Sequence, residues 1–149
     1  MNTVLSPSAP ASAPQAEQAK MPVRRHDTWA PGDAAHQGDL ILVCIPNLPK
    51  SAKPRENRQM ADGETQGSKH VVDGGDVFDA DADEIVVMVK AATKGRVLCD
   101  PKYIGPVFSG SCVLTHPQHQ HQAFPADTTT VVLFQRNQDS EEREHRARD

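Results

Sequence analysis

Aromatic side chains are scarce in this chain, with one Trp, one Tyr and four Phe among 149 residues. That excludes a large aromatic core, so any interior has to be built mainly from Val, Leu and Ile. Apolar residues make up 37%, below the about 45–50% of a globular domain (a range that also counts Gly). The length therefore accommodates one small domain with tails. Cysteine is sparse as well. Cys44, Cys99 and Cys112 are an odd number, widely spaced, with no C-x-x-C pair. This excludes a disulfide framework or a zinc knuckle and suits a reducing, intracellular setting. No apolar run approaches the roughly 20 residues that cross a bilayer, and the N-terminus lacks the basic start and apolar stretch of a secretory signal. The expectation is a soluble protein of the cytoplasm with no membrane partner. A basic excess is missing too: the formal net charge is −4, which argues against a general nucleic-acid binder. Two basic stretches, MPVRRH (21–26) and KSAKPRENR (50–58), carry no interleaved aromatics to stack bases and read as solvated loops. Gly-rich phosphate loops, G-x-S-x-G and H-E-x-x-H are all absent from the sequence.

Residues 1–37 read as an extended or disordered arm. The start, LSPSAPASAPQAEQAKMP, is rich in Ala, Pro and Ser, and repeated proline removes the backbone donors that helices and sheets need. A compact β domain is expected over 38–139. DLILVCIP (39–46) is a short apolar run ended by proline, the pattern of a strand buried on both faces. Further strands are expected at 68–72, 84–90 (EIVVMVK), 96–99, 107–115 and 128–136, with an acidic turn at 73–83 and a mainly looped 47–66. SEEREHRAR (140–148) predicts a short charged helix within a 140–149 tail, with Ser140 as its cap. Short strands with Pro and Gly punctuation define the expected class: all-β, a small sandwich or barrel.

The stretch that most resembles chemistry is SCVLTHPQHQHQAFPA (111–126), with His116, His119 and His121 inside six positions. Imidazole nitrogen suits zinc and similar ions, and open metal sites commonly use three protein ligands. His119 and His121 are two apart, so an extended segment points both to one side. His70 is the natural partner from elsewhere in the chain, with Glu64 or an acid of 73–83 as a further ligand. The competing reading is a Gln/His-rich loop joining two strands. DADAD (79–83) opens like a calcium loop, but Glu84 stands where glycine is needed and Lys90 where a bidentate glutamate is needed. Cys112, four residues before His116, sits in an apolar run and reads as core.

Three segments together resemble a family of small, uncharacterised bacterial and phage-encoded proteins: QGDLILVCIPNLP (37–49), ADGETQGSKHVV (61–72) and LTHPQHQHQAFPADTTTVVLFQRNQDSEEREHRARD (114–149). The family carries a Gln-Gly-Asp strand, a Gly-Glu-x-x-Gly segment bearing two histidines, and a Thr-His-x-x-His stretch. His70, His116 and His119 match its histidine positions. Ser68 stands where the other histidine of the pair belongs, and His121 is outside the pattern. The resemblance implies a compact β domain over 37–149, no particular activity, and a bacterial or phage-particle setting. Two functions follow as expectations. The first is a non-enzymatic binding or assembly module, phage-related, that engages a protein partner or its own copies through the N-terminal arm and needs no cofactor. The alternative is a metal-dependent, cupin-like small β-barrel holding zinc, iron or manganese through His70, His116 and His119, with Glu64 or His121 nearby.

Overall fold

The computed structural model describes residues 22–61 and 69–135. Residues 1–21 of the expected arm, the stretch with Glu64 and Ser68, and the expected helix at 140–149 lie outside the described residues. Within them the chain is strand-dominated, as expected. The strands are β1 (Val23–Arg25), β2 (Ala34–Gln37), β3 (Leu40–Ile45), β4 (Lys53–Pro54), β5 (Val71–Asp79), β6 (Ile104–Thr115), β7 (His121–Phe124) and β8 (Thr129–Phe134). They form one sheet, curled into a half-barrel, in the order β1-β7-β6-β8-β3-β2, with β5 also paired to β6 and β4 to β5. β6 is the hub. One edge carries β5, while the other is shared between β8, against Ile104–Ser109, and β7, against Cys112–Leu114.

β3 is buried on both faces, as its unbroken apolar run implies. Leu40, Leu42 and Cys44 face the barrel interior with Trp29, Val72, Phe108, Leu114, Phe124 and Val132. Val43 and Ile45 face the other way, into a second cluster with Ile85, Val89, Val107, Val131 and Leu133. Alternation along the strand feeds two cores at once. The scarce aromatics are concentrated in the first cluster. Phe124 meets Trp29 and Phe108 edge-on at centroid distances of 5.1 and 5.2 Å, and the Trp29 indole N–H donates to Thr130 Oγ1 at 2.9 Å.

Several local expectations are overturned. EIVVMVK is not a strand but the middle of helix α1 (Ala82–Thr93). Its buried residues Ile85, Val89 and Thr93 recur every four positions, whereas Val87 is 67% exposed. A strand would have turned Val87 to the same side as Ile85 and Val89. Asp83 and Glu84 in the first turn suit the helix dipole. Glu84 also accepts hydrogen bonds from Ser51 Oγ and from the Lys50 and Ser51 amides, which ties the loop after β3 to the helix. The helix ends at Lys94, left-handed at φ 54°, followed by Gly95, a termination that the sequence marks with its Lys-Gly pair. The acidic stretch 73–83 is the body of β5 and the start of α1, not a turn, and 96–99 forms no strand. The folded part also begins earlier than residue 38. β1 pairs in parallel with β7, and β2 pairs with β3, so residues 23–37 belong to the sheet.

β5 crosses β6 with a register shift between Gly74 and Asp76. Gly75 makes the shift possible: its φ is +61°, and a Cβ there would lie 2.4 Å from the Ser109 carbonyl oxygen. Arg58, from the basic stretch expected to be a solvated loop, braces the bulge by donating to the carbonyls of Val72, Gly74 and Gly75. Arg55 of the same stretch pairs with Asp79 at 2.9 Å. These arginines hold backbone and carboxylate of their own chain. The substitution Gly75→Ala is expected to cost about 2 kcal/mol or more. The left-handed conformation alone costs roughly 1–2 kcal/mol, and the Ser109 carbonyl must also move. A lower urea midpoint at unchanged m-value checks this, and an unchanged midpoint would contradict it.

Candidate functional site

The strand register brings the histidine segments together. Val71, the first residue of β5, pairs with Thr115, the last of β6. His70 and His116 flank that pair and therefore meet, with ring centroids 4.3 Å apart. His119, in the β6–β7 connection, lies 4.4 Å from His116 and 6.1 Å from His70, nearly parallel to the latter at 9°. The β2–β3 turn, Gly38–Asp39, closes the cluster. A Cβ on Gly38 would lie 2.7 Å from His119 Nε2 and 3.3 Å from His70 Cε1, and its φ of +59° disfavours any side chain. Glycine leaves room for both rings.

Gln37, the last residue of β2, sets the orientation of His70. Its amide nitrogen donates to the carbonyls of Leu114 and Gln120 at 2.9 and 2.8 Å. With both N–H bonds used, the amide oxygen is left to accept from His70 Nδ1 at 2.7 Å. Neutral His70 thus keeps its lone pair on Nε2, which is buried and without a hydrogen-bond partner among the described residues. Asp39 Oδ1 stands 3.6 Å away, beyond hydrogen-bonding distance. His116 has the opposite polarity. Its Nδ1 accepts from the Gln118 backbone N–H at 3.0 Å, and its Nε2 also lacks a partner among the described residues.

Of the histidines the sequence singled out, His70, His116 and His119 converge. His121 is adjacent, 4% exposed, and its Nε2–H donates to the His116 carbonyl at 3.2 Å, so it braces the turn. Glu64 and Ser68 lie outside the described residues. Sequence reasoning missed Gln37 and Asp39 as site residues, although both belong to the Gln-Gly-Asp of the first family-like segment. His26 forms a separate network: its Nε2–H donates to Gln122 Oε1 at 2.8 Å, and its ring stacks on Phe124. The Gln122 amide in turn donates to the His36 carbonyl.

Electrostatics disfavour a charge on His70 and His116. Burial, and then the neighbouring His116 and His119, lower the His70 pKa to about 3. Burial also lowers that of His116, helped by His119 and the Lys69 ammonium and opposed by Asp39. Cys112 offers no thiolate, because burial pushes its pKa up to about 12. Among the described residues, no three His, Cys, Asp or Glu side chains are already gathered so that they could hold one ion. Nor is any helix among them long and apolar enough to cross a membrane. No family model, curated protein or solved structure matches the chain.

Two outcomes follow for the metal-free protein. Gln37→Leu orphans the buried His70 N–H and takes a donor from the Leu114 and Gln120 carbonyls, and is expected to cost about 2 kcal/mol, since an orphaned buried group costs about 1–3 kcal/mol. Urea denaturation reads this, and a loss below about 1 kcal/mol would contradict the clamp. The depressed His70 pKa means that, below about pH 6.5, the unfolded chain binds a proton that the folded chain refuses. Stability is then full above pH 6.5 and falls as pH drops toward 3, by about 1.4 kcal/mol per pH unit for each such histidine. A His70→Asn variant should flatten that slope between pH 6.5 and 5. Equal slopes for both proteins would count against a buried neutral His70.

Proposed function

We propose that this domain is a metal-binding β half-barrel, with a divalent ion of the zinc, iron or manganese class held at the histidine cluster by His70, His119 and Asp39. The observation that carries the reading is the pair His70 Nε2 and Asp39 Oδ1. These are two Lewis-basic atoms 3.6 Å apart with no proton between them when His70 is neutral. Two bonds of about 2.0–2.1 Å meeting near the tetrahedral angle span roughly 3.3 Å, so the separation matches the bite of a single ion. The imidazole is held from behind by Gln37, the arrangement that commonly fixes the tautomer of a metal-bound histidine. Two imidazoles on one tetrahedral zinc place their ring centres roughly 5 Å apart. His119 stands 6.1 Å from His70 with its ring nearly parallel, so it would have to shift and turn its ring to join the set. Three protein ligands leave open positions, where an ion would polarise a bound oxygen or activate water.

The binding or assembly role expected from the Pro/Ala/Ser-rich arm rests chiefly on residues 1–21, outside the described residues. Neither a protein partner nor a phage setting gains support from the described part of the fold. Elemental mass spectrometry of the tag-free protein tests the metal reading. Near-stoichiometric divalent metal is expected in the wild type, with a loss of tenfold or more in His70→Ala and in Asp39→Ala. A wild type that takes up no Zn²⁺, Fe²⁺ or Mn²⁺ in a direct titration would sink it.

A further inference from the structure

We infer that His116 serves the site as a hydrogen-bond donor that holds a carboxylate ligand against the ion, not as a metal ligand. This rests on the metal reading above. His116 Nδ1 accepts the Gln118 backbone N–H at 3.0 Å. A neutral imidazole carries one lone-pair nitrogen and one N–H, so Nε2 bears the hydrogen and has no lone pair for a metal. The tautomer is set by the sequence His-Pro-Gln. Pro117 has no N–H to offer, and the first amide available after it is that of Gln118.

The resulting N–H is buried, with His116 only 2% exposed, and it lacks an acceptor among the described residues. It sits in the ring nearest to His70, whose Nε2 has the opposite need. A basic lone pair and an N–H donor in rings 4.3 Å apart suit a ligand that meets an ion with one oxygen and a donor with another. A carboxylate has two oxygens at a fixed separation and accepts only. The exposed Lys69, next to His70 in the chain, is close enough to act on His116 and adds positive charge near it. The site therefore selects a small carboxylate compound over a neutral one, and His116 is a residue that determines specificity.

The test uses the full chain loaded with Co²⁺, with acetate as the carboxylate probe, followed by visible absorption. Wild type is compared with His116→Gln, which keeps an N–H donor, and with His116→Leu, which has none. Equal Co²⁺ stoichiometry is expected in all three. Acetate affinity should fall about tenfold to a hundredfold in His116→Leu, the range for one hydrogen bond to a charged group, and stay within about threefold in His116→Gln. Loss of cobalt from both variants would make His116 a ligand and overturn the inference, as would equal acetate affinity throughout. Side-chain ¹⁵N spectra of the metal-free wild type provide a separate readout, expected to show Nε2–H at His116 and Nδ1–H at His70. The reverse tautomer at His116 overturns the assignment whatever the metal result, and it also covers the case in which His116→Leu does not fold. A wild type that binds no cobalt removes the metal reading and this inference with it.

Discussion

The Gln37 side chain is the interaction on which the rest of the site depends. A buried primary amide has two donors and one acceptor to place, and here each reaches a different piece of chain: the Leu114 carbonyl at the end of β6, the Gln120 carbonyl before β7, and His70 Nδ1 at the start of β5. Three elements distant in sequence are thereby locked to the last residue of β2. The chemical consequence is directional. Because the amide can only accept at its oxygen, His70 must donate through Nδ1 and present its lone pair to Asp39. One hydrogen bond thus fixes both the packing of His70 and its tautomer.

That constraint needs a rigid frame, which the sheet provides with little apolar material. β3 contributes to both clusters, so a single apolar run does the packing of two. α1 covers one face and leaves the other for the barrel interior. The bend in β5 and β6 lets one long strand serve three neighbours, and it depends on glycine backbone where a Cβ would strike the facing carbonyl. The site lies at the end of this frame, where β2 turns into β3, β5 begins, and β6 passes to β7. Its residues are on short connections between buried strands, a placement that limits their freedom.

Much of this was legible in the sequence. DLILVCIP and TTTVVLF announce buried strands through apolar continuity, and both lie where expected. EIVVMVK misled because its β-branched residues outweighed its period. The burial of Ile85, Val89 and Thr93 at steps of four, and the Lys-Gly stop, were the better signals. DGGDVFD looked like a turn because Gly and Asp are turn residues, yet two of its glycines are spent on a bulge inside a strand. The histidines were identifiable, but their meeting was not. It follows from Val71 pairing with Thr115, and register between strands more than 40 residues apart is a tertiary fact. Asp39 and Gln37 escaped notice as site residues because neither is unusual by type. Only the donor and acceptor count around His70 gives them roles.

X-ray absorption at the metal edge of the purified, zinc-loaded protein tests the central claim most directly, because it reads the ligand atoms themselves. The account predicts a shell of nitrogen and oxygen at about 2.0–2.1 Å with the outer-shell scattering of two imidazoles, lost on His70→Ala. A sulfur shell at about 2.3 Å would move the ion to the cysteines. A spectrum unchanged by His70→Ala would show that the ion binds elsewhere, and either result would contradict the account.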